Sequence, residues 1–268
     1  MKTTGTAEPT QLPPKLTTRP RAPGKRQWLQ RLARYAATPA ALGVILLLVY
    51  WYVSRQELDA LAAPALQLDV LLQNTKEHIV LTVVVTAVVV AVAVPLGILL
   101  TRPFARPLTP PLLALANIGQ GVPSIGLLVL LALVIGTGFW PAAIAFIVYA
   151  ILPVLRNTMV GLEQVDRSIL EAGRGMGISR VGVLVRIELP LAVPVMLAGI
   201  RTALVISVGT ATLATFVGAG GLGDTIDAGL SVSRQVVVIT GAVLTAVLAL
   251  AVDWLAGVIE DVLRPRGL

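Results

Sequence analysis

Gly218-Ala219-Gly220-Gly221-Leu222-Gly223 spells G-x-G-x-x-G. With a strand before it and a helix after it, that spacing lets backbone approach a pyrophosphate, which would make the chain a dinucleotide binder. The run over 204–217 is apolar and partly β-branched, so a buried strand is compatible with it. The downstream requirement, an acidic residue about 20 positions on, is not met. After Asp224 and Asp227 the next carboxylate is Asp253, inside another apolar run. No G-x-x-x-x-G-K-[ST] phosphate loop occurs, nor any paired carboxylates or Ser/His set suited to hydrolysis. There are no cysteines, which excludes disulfides, Cys-ligated zinc and iron–sulfur chemistry. The single histidine, His78, follows Lys76 and Glu77 and reads as a solvated side chain, not a metal ligand. The glycines therefore need another role, and the elements around them decide it.

Those elements belong in lipid. The chain is 56% hydrophobic and 13% charged, where a soluble domain carries about 25% charge to dress its surface. Arg34 and Arg55 bracket the uncharged run 35–54, which at about 1.5 Å per residue spans the hydrocarbon layer. Tyr50, Trp51 and Tyr52 near its end match an interfacial aromatic belt. A basic, Pro-rich tail, 1–34, precedes it, and no A-x-A site follows, so it does not read as a cleaved signal peptide. A second run covers Ile79–Thr101; its VVVTAVVVAVAV resembles strand alternation, but the unbroken length favours a helix. The uncharged stretch Pro107–Leu155 divides at Gly136-Thr137-Gly138-Phe139-Trp140-Pro141 into two spans. The first opens with polar, Gly/Pro-broken residues that include Gln120, Pro123 and Ser124. Irregular backbone at membrane depth has to face protein or water, so these three are candidate pathway or helix-packing residues. Runs over Leu189–Val217, interrupted by Arg201, and about Val236–Ile259, holding Asp253, complete six spans. The fold class is thus all-α, a polytopic membrane protein.

Charge orients the spans. Basic residues crowd the tail and follow the second span (Arg102, Arg106), the fourth (Arg156 to Arg186) and the last (Arg264, Arg266). The loop after the first span carries Glu57, Asp59, Asp69 and Glu77. By the positive-inside rule both termini are cytoplasmic, in the cytoplasmic (inner) membrane. The glycine stretch then falls on the outer face, where Gly218, Gly220, Gly221 and Gly223, with Asp224, form a tight turn or close helix contact and not a nucleotide site. The net charge of +7 reads as a topology signal and not as nucleic-acid affinity.

The charged segment between spans four and five is the most informative. Ser168 with Glu171 three residues later has the form of a capping box. Leu162, Val165, Ile169, Ala172 and Met176 recur at helical spacing, as do Glu163, Arg167, Glu171 and Arg174. Gly173, Gly175 and Gly177 weaken this helix, and Gly177 is suited to a left-handed cap. A second amphipathic piece, 181–188, leads to Pro190 at the next membrane entry. Two short helices joined at a glycine make a cytoplasmic knob, or an interfacial loop on lipid headgroups.

Glu171-Ala172-Gly173, Gly177 and Ile187-x-Leu189-Pro190 reproduce the spacing of a known motif. The segment resembles the EAA loop of ATP-binding-cassette (ABC) importer permeases, with Gly173 where alanine is usual. "NIGQGVPSIGLL", "YAILPVLRNTMVGLEQVD", "ILEAGRGMGIS", "LPLAVPVMLAGIRTALVISVGTATLATFVGAGGLGD" and "LTAVLALAVDWL" extend the resemblance over residues 75–260, to the osmoprotectant branch (glycine betaine, choline, carnitine). "GQGVPS" departs slightly from the usual "QTIPS". The tail and first span, 35–54, fall outside it.

The resemblance implies a permease domain over 75–260 whose loop 157–189 couples to a separate ATPase. Its coupling residues would be Ser168, Glu171, Ala172, Gly173, Gly177, Ile187, Leu189 and Pro190. It also implies an extracytoplasmic substrate-binding protein, a second permease copy or paralogue, and no cofactor on this chain, since ATP binds the separate subunit. The chain would not be an enzyme. Another small solute is an alternative cargo, and a channel or secondary carrier without an ATPase is an alternative class. The latter places ionisable groups within its spans; here only Arg201 and Asp253 qualify, and they are expected to pair. Quaternary amines are held by aromatic cages, yet aromatics make up 4% of the chain and lie mostly near span ends. Selection by the binding protein fits that scarcity.

Overall fold

A computed structural model describes residues 25–263, with side chains from Tyr35 onward. Residues 1–24 of the basic tail, and Arg264 and Arg266, lie outside the described residues. The chain divides into two units, Met1–Ala37 and Thr38–Leu268. Helix α1, Lys25–Ser54, contains the described part of the first unit and opens the second. Val44, Leu47, Leu48, Tyr50 and Trp51 on α1 are exposed, the expected state of a lipid-facing span.

The described residues are helical or loop, without strands. Helix α2 runs Leu68–Leu100, α3 Thr109–Gly121, α4 Ser124–Ile135 and α5 Phe139–Glu163. Two short helices follow, α6 (Arg167–Gly175) and α7 (Arg180–Val183). A π-helical turn, Leu184–Glu188, then feeds directly into α8, Leu189–Ala211. A 3-10 stretch, Thr212–Val217, and the glycine loop lead to α9, Leu222–Ser231, and α10, Gln235–Leu263, closes the bundle. The 204–217 run is therefore helical, which removes the strand a dinucleotide site needs.

Among the described residues five helices are long and apolar enough to cross a membrane, and six if the bent pair α3–α4 counts as one. The pair bends by 96°. Its polar start stays helical through Gly121, and the break falls at Val122-Pro123, where proline ends one helix and opens the next. Two contacts decide how the pair counts. Just before it, Arg102 touches Glu188 at the start of α8. Just after it, the Gly138 N–H donates to Val217 O (2.6 Å), beyond the end of α8. The 23 residues of α8 separate those points, about 35 Å of helix. The chain enters α3 at one end of the bundle and leaves α4 at the other, so the bent pair is one crossing. With α1 that makes six.

α5 is central, packed between α2 and α8 around Val85, Val89, Ala142, Phe146, Val154 and Ala203. Small residues set the spacing: a Cβ on Gly97 of α2 would lie 2.8 Å from Thr158, and one on Gly199 of α8 would lie 2.6 Å from Asn157. α5 also runs two turns past Leu155, where the uncharged stretch ends. Arg156 therefore lies within the helix and not in the loop, and donates to Asn117 of α3 (3.0 Å).

Candidate functional site

The segment after α5 forms the expected pair of short helices, with one correction at its start. Asp166, not Ser168, caps α6: its carboxylate accepts the Ser168 N–H at 2.8 Å. The helix begins two residues earlier than a Ser168 cap requires, and aspartate fills the cap position equally well. Hydrogen bonds from the Ser168 backbone and side chain hold the Asp166 carboxyl below the ordinary carboxylate range. Ser168 and Glu171 are exposed residues of the first turns.

The far end of α6 closes on a left-handed glycine. Gly177 has φ +83°. Its N–H donates to Arg174 O (2.9 Å) and the Ile178 N–H to Gly173 O (3.2 Å), the two bonds of a Schellman turn. Ser179 then caps α7 through Gly182 N–H (3.1 Å). Gly173 is buried, and a Cβ there would lie 2.7 Å from Ile187 Cδ1, so the isoleucine tip fills the space of an alanine methyl. Leu189 packs on Leu162, Ala192 and Met196, and Pro190 sits in the first turn of α8. The apolar stripe divides. Leu162 and Val165 are buried at the α5 end, whereas Ile169, Ala172 and Met176 are exposed, Met176 by 73%. The knob presents an open apolar face.

Behind that face lies an ion pair that sequence reading missed. Arg102, just past α2, donates to both Glu188 oxygens at 3.1 and 2.6 Å, and Glu188 is only 6% exposed. Removing one partner of such a pair leaves a buried charge, at a cost of about 3–5 kcal/mol. The pair lines a cleft of about 380 Å³ with Arg106, Arg167, Glu171 and Arg174. The available signal was positional: Arg102 and Glu188 both stand at membrane entries on the basic side.

Arg201 and Asp253 meet as the sequence suggests. Nε and one terminal nitrogen of Arg201 donate to the two Asp253 oxygens at 2.5 and 2.6 Å, with Glu260 at 3.8 Å. Gly257 opens the space the guanidinium occupies. Gln120 donates to Tyr149 O (2.7 Å), tying α3 to α5, while Pro123 and Ser124 form the start of α4 at the bend.

At the opposite end, Gly218, Gly220 and Gly221 have φ of +68°, +79° and +104°. Gly223 lies so close to Thr212 O that no side chain fits, and Asp224 is half-buried in the first turn of α9. His78 is here and is fully buried, contrary to its reading as a solvated side chain. Its ring lies between α8 and α9, with Nε2 2.9 Å from Val208 O and Nδ1 accepting the Leu222 N–H at 3.3 Å. Nearby, Arg234 donates to Asp59 at 2.6 Å. That guanidinium holds the Asp59 carboxyl below its ordinary range, and the carboxylate neutralises the one arginine between α9 and α10.

With the geometry established, relatives define the class. Residues 93–265 match the model of the binding-protein-dependent transport system inner membrane component, and the chain belongs to that family. It is 43% identical over 155 residues to the carnitine transport permease protein OpuCD of Listeria monocytogenes, covering 58% of this chain and 70% of that one. Against the choline transport system permease protein OpuBB of Bacillus subtilis it is 41% identical over 157 residues, 59% and 72% of the two chains. In three dimensions it is similar to a chain of the inward-facing MetNI methionine ABC transporter, with TM-score 0.64 and 25% identity, over 73% of this chain and 96% of that one. An amino acid ABC transporter solved with histidines shares the fold at TM-score 0.62 and 16% identity, over 77% and 99%. These relatives are transport permeases and not enzymes, and the chain is a membrane permease of the ABC importer class.

Proposed function

We propose that this chain moves a compatible solute of the quaternary-amine class (glycine betaine, choline or carnitine) into the cell as the permease of an ATP-driven importer. A cytoplasmic ABC ATPase docks on the α6–α7 knob, and an extracytoplasmic binding protein delivers the solute. A second permease, a copy or a paralogue, completes the pathway. The observation that carries this reading is the knob itself: an apolar face at Ile169, Ala172 and Met176, fixed by the Gly177 turn and continuous with α8. A soluble partner would cover such a face. The names of the relatives support the solute class. Six crossings and basic inner loops support cytoplasmic termini. The coupling roles of Ser168, Glu171, Ala172, Gly173, Gly177, Ile187, Leu189 and Pro190 belong to this proposal.

The test is assembly. The importer's ATPase should co-purify with the chain from detergent, and Met176→Asp should abolish co-purification while leaving membrane abundance unchanged. Equal recovery of the ATPase with Met176→Asp would show that the knob is not its docking face.

A further inference from the structure

Helices α2 and α8 are clasped to one another at both ends. At the inner end the clasp is Arg102 on Glu188 (2.6 and 3.1 Å), with Arg102 Nε also donating to Ile98 O at 3.1 Å. At the outer end it is His78. About 24 positions, the last two just past α2, separate the two, roughly 36 Å at 1.5 Å per residue.

The outer clasp follows from backbone groups that two helix ends leave over. α8 gives way to the 3-10 stretch after Ala211, where the Thr212 N–H turns to Thr210 O. The Val208 carbonyl accepts from His78 Nε2. α9 begins at Leu222, and the first N–H groups of a helix lack intrahelical acceptors. Those of Leu222 and Gly221 go to His78 Nδ1 (3.3 Å) and Glu77 Oε2 (3.2 Å). Nδ1 is thus an acceptor and Nε2 carries the proton, so one neutral imidazole joins the end of α8 to the start of α9. Asn74, one turn earlier on α2, donates to Thr225 Oγ1 at 3.0 Å, and Gln73 donates to Glu77 at 2.7 Å. A side chain at Gly220 would collide with the Glu77 carboxylate, so the glycine loop lies directly against α2.

We propose that α2 and α8 act as one rigid strut that carries motion between the coupling segment and the outer glycine loop. His78 and the Arg102–Glu188 pair are its positioning residues. The proposal rests on the permease reading above. Glu188 ends the turn that leads from the knob into α8, and Arg102 and Glu188 line the cleft beside Glu171 and Arg174 on α6. A tie at each end prevents the two helices from sliding past each other. Both ring nitrogens of His78 are partnered and the residue is wholly buried, so the clasp stays closed through the transport cycle. A displacement at the outer loop then reaches the knob as a rigid-body movement of the pair.

The experiment uses the complete importer in proteoliposomes and reads ATP hydrolysis with and without solute-loaded binding protein. His78→Phe keeps the ring size and removes both nitrogens. It should leave membrane abundance and basal hydrolysis intact and cut the stimulation by about fivefold or more. The cysteine-free chain permits a second arm: Asn74→Cys with Thr225→Cys, oxidised to a disulfide, fixes α2 to α9 covalently, the part of the outer clasp by which the glycine loop moves with the α2–α8 pair. In the otherwise native chain it should leave uptake unchanged, and in the His78→Phe background it should restore stimulation. A disulfide that stops uptake until reduced would overturn the strut, because the clasp would then have to open in each cycle. Unchanged stimulation in His78→Phe would overturn it as well. Should His78→Phe fail to reach the membrane, Arg102→Gln tests the inner clasp, with the same loss expected and retained stimulation refuting. No stimulation with the unaltered chain would overturn the permease reading itself.

Discussion

Replacing Gly177 isolates the contribution of one turn. The residue has φ +83°, and a Cβ built on it meets nothing within 4 Å. A substituted side chain therefore causes no clash, and its cost is the left-handed backbone alone, about 1–2 kcal/mol. A penalty of that size lowers the population of the closed Schellman turn by a factor of roughly 5–30. Asparagine tolerates this conformation better than other non-glycine residues, so the order of function should be glycine, then Asn, then Ala and Leu together. Because no span is altered, abundance in the membrane should stay near normal for all three variants. The assay is solute uptake beside stimulation of the partner ATPase, normalised to inserted protein. A loop resting on headgroups predicts almost no change in Gly177→Leu, since an added leucine strengthens contact with lipid. Near-normal uptake in a properly inserted Gly177→Leu chain would refute the coupling role of the turn.

Other outcomes follow from the same geometry. Charge reversal at Arg201 or at Asp253 should abolish uptake and the double swap partly restore it; a swap no better than either single change would count against the pair. Single cysteines at Ala65 and Asp227 should react with an impermeant thiol reagent in intact cells, and one at Ser179 only after the cells are opened. Labelling of the Ser179→Cys chain from outside would reverse the orientation. Gly173→Ala places a methyl where Ile187 Cδ1 now lies, so combining it with Ile187→Val should recover more thermal stability than either change alone. Strict additivity would show that the two sites do not compete for space.

What the sequence makes legible is set by local physics. Uncharged runs locate the spans because charge is costly in lipid, and two isolated opposite charges in the last two runs, Arg201 and Asp253, have few other partners to find. Gly177 is readable because a left-handed turn selects glycine whatever surrounds it. His78 is not readable: its partners are backbone atoms of Val208 and Leu222, more than a hundred residues away, left over by the early end of α8 and the start of α9. No residue type announces a free carbonyl. Arg156 misleads for a related reason, since the helix continues past the apolar run and Asn117 of α3 receives the guanidinium. At Ser168 two good caps compete within three residues, and register, fixed by packing, decides for Asp166. The Arg102–Glu188 pair spans 86 positions, and only the antiparallel pairing of α2 and α8 brings it together.

Reconstituted uptake distinguishes ATP-driven import from every passive route. The chain is placed in proteoliposomes with the ATPase and second permease proposed for it, ATP is enclosed, and the binding protein with radiolabelled glycine betaine is added outside. Label should accumulate against its gradient, dependent on both ATP and binding protein, and this accumulation should be lost in Gly177→Leu. Label that enters equally without ATP, or only to equilibrium, would contradict it and indicate a channel or carrier.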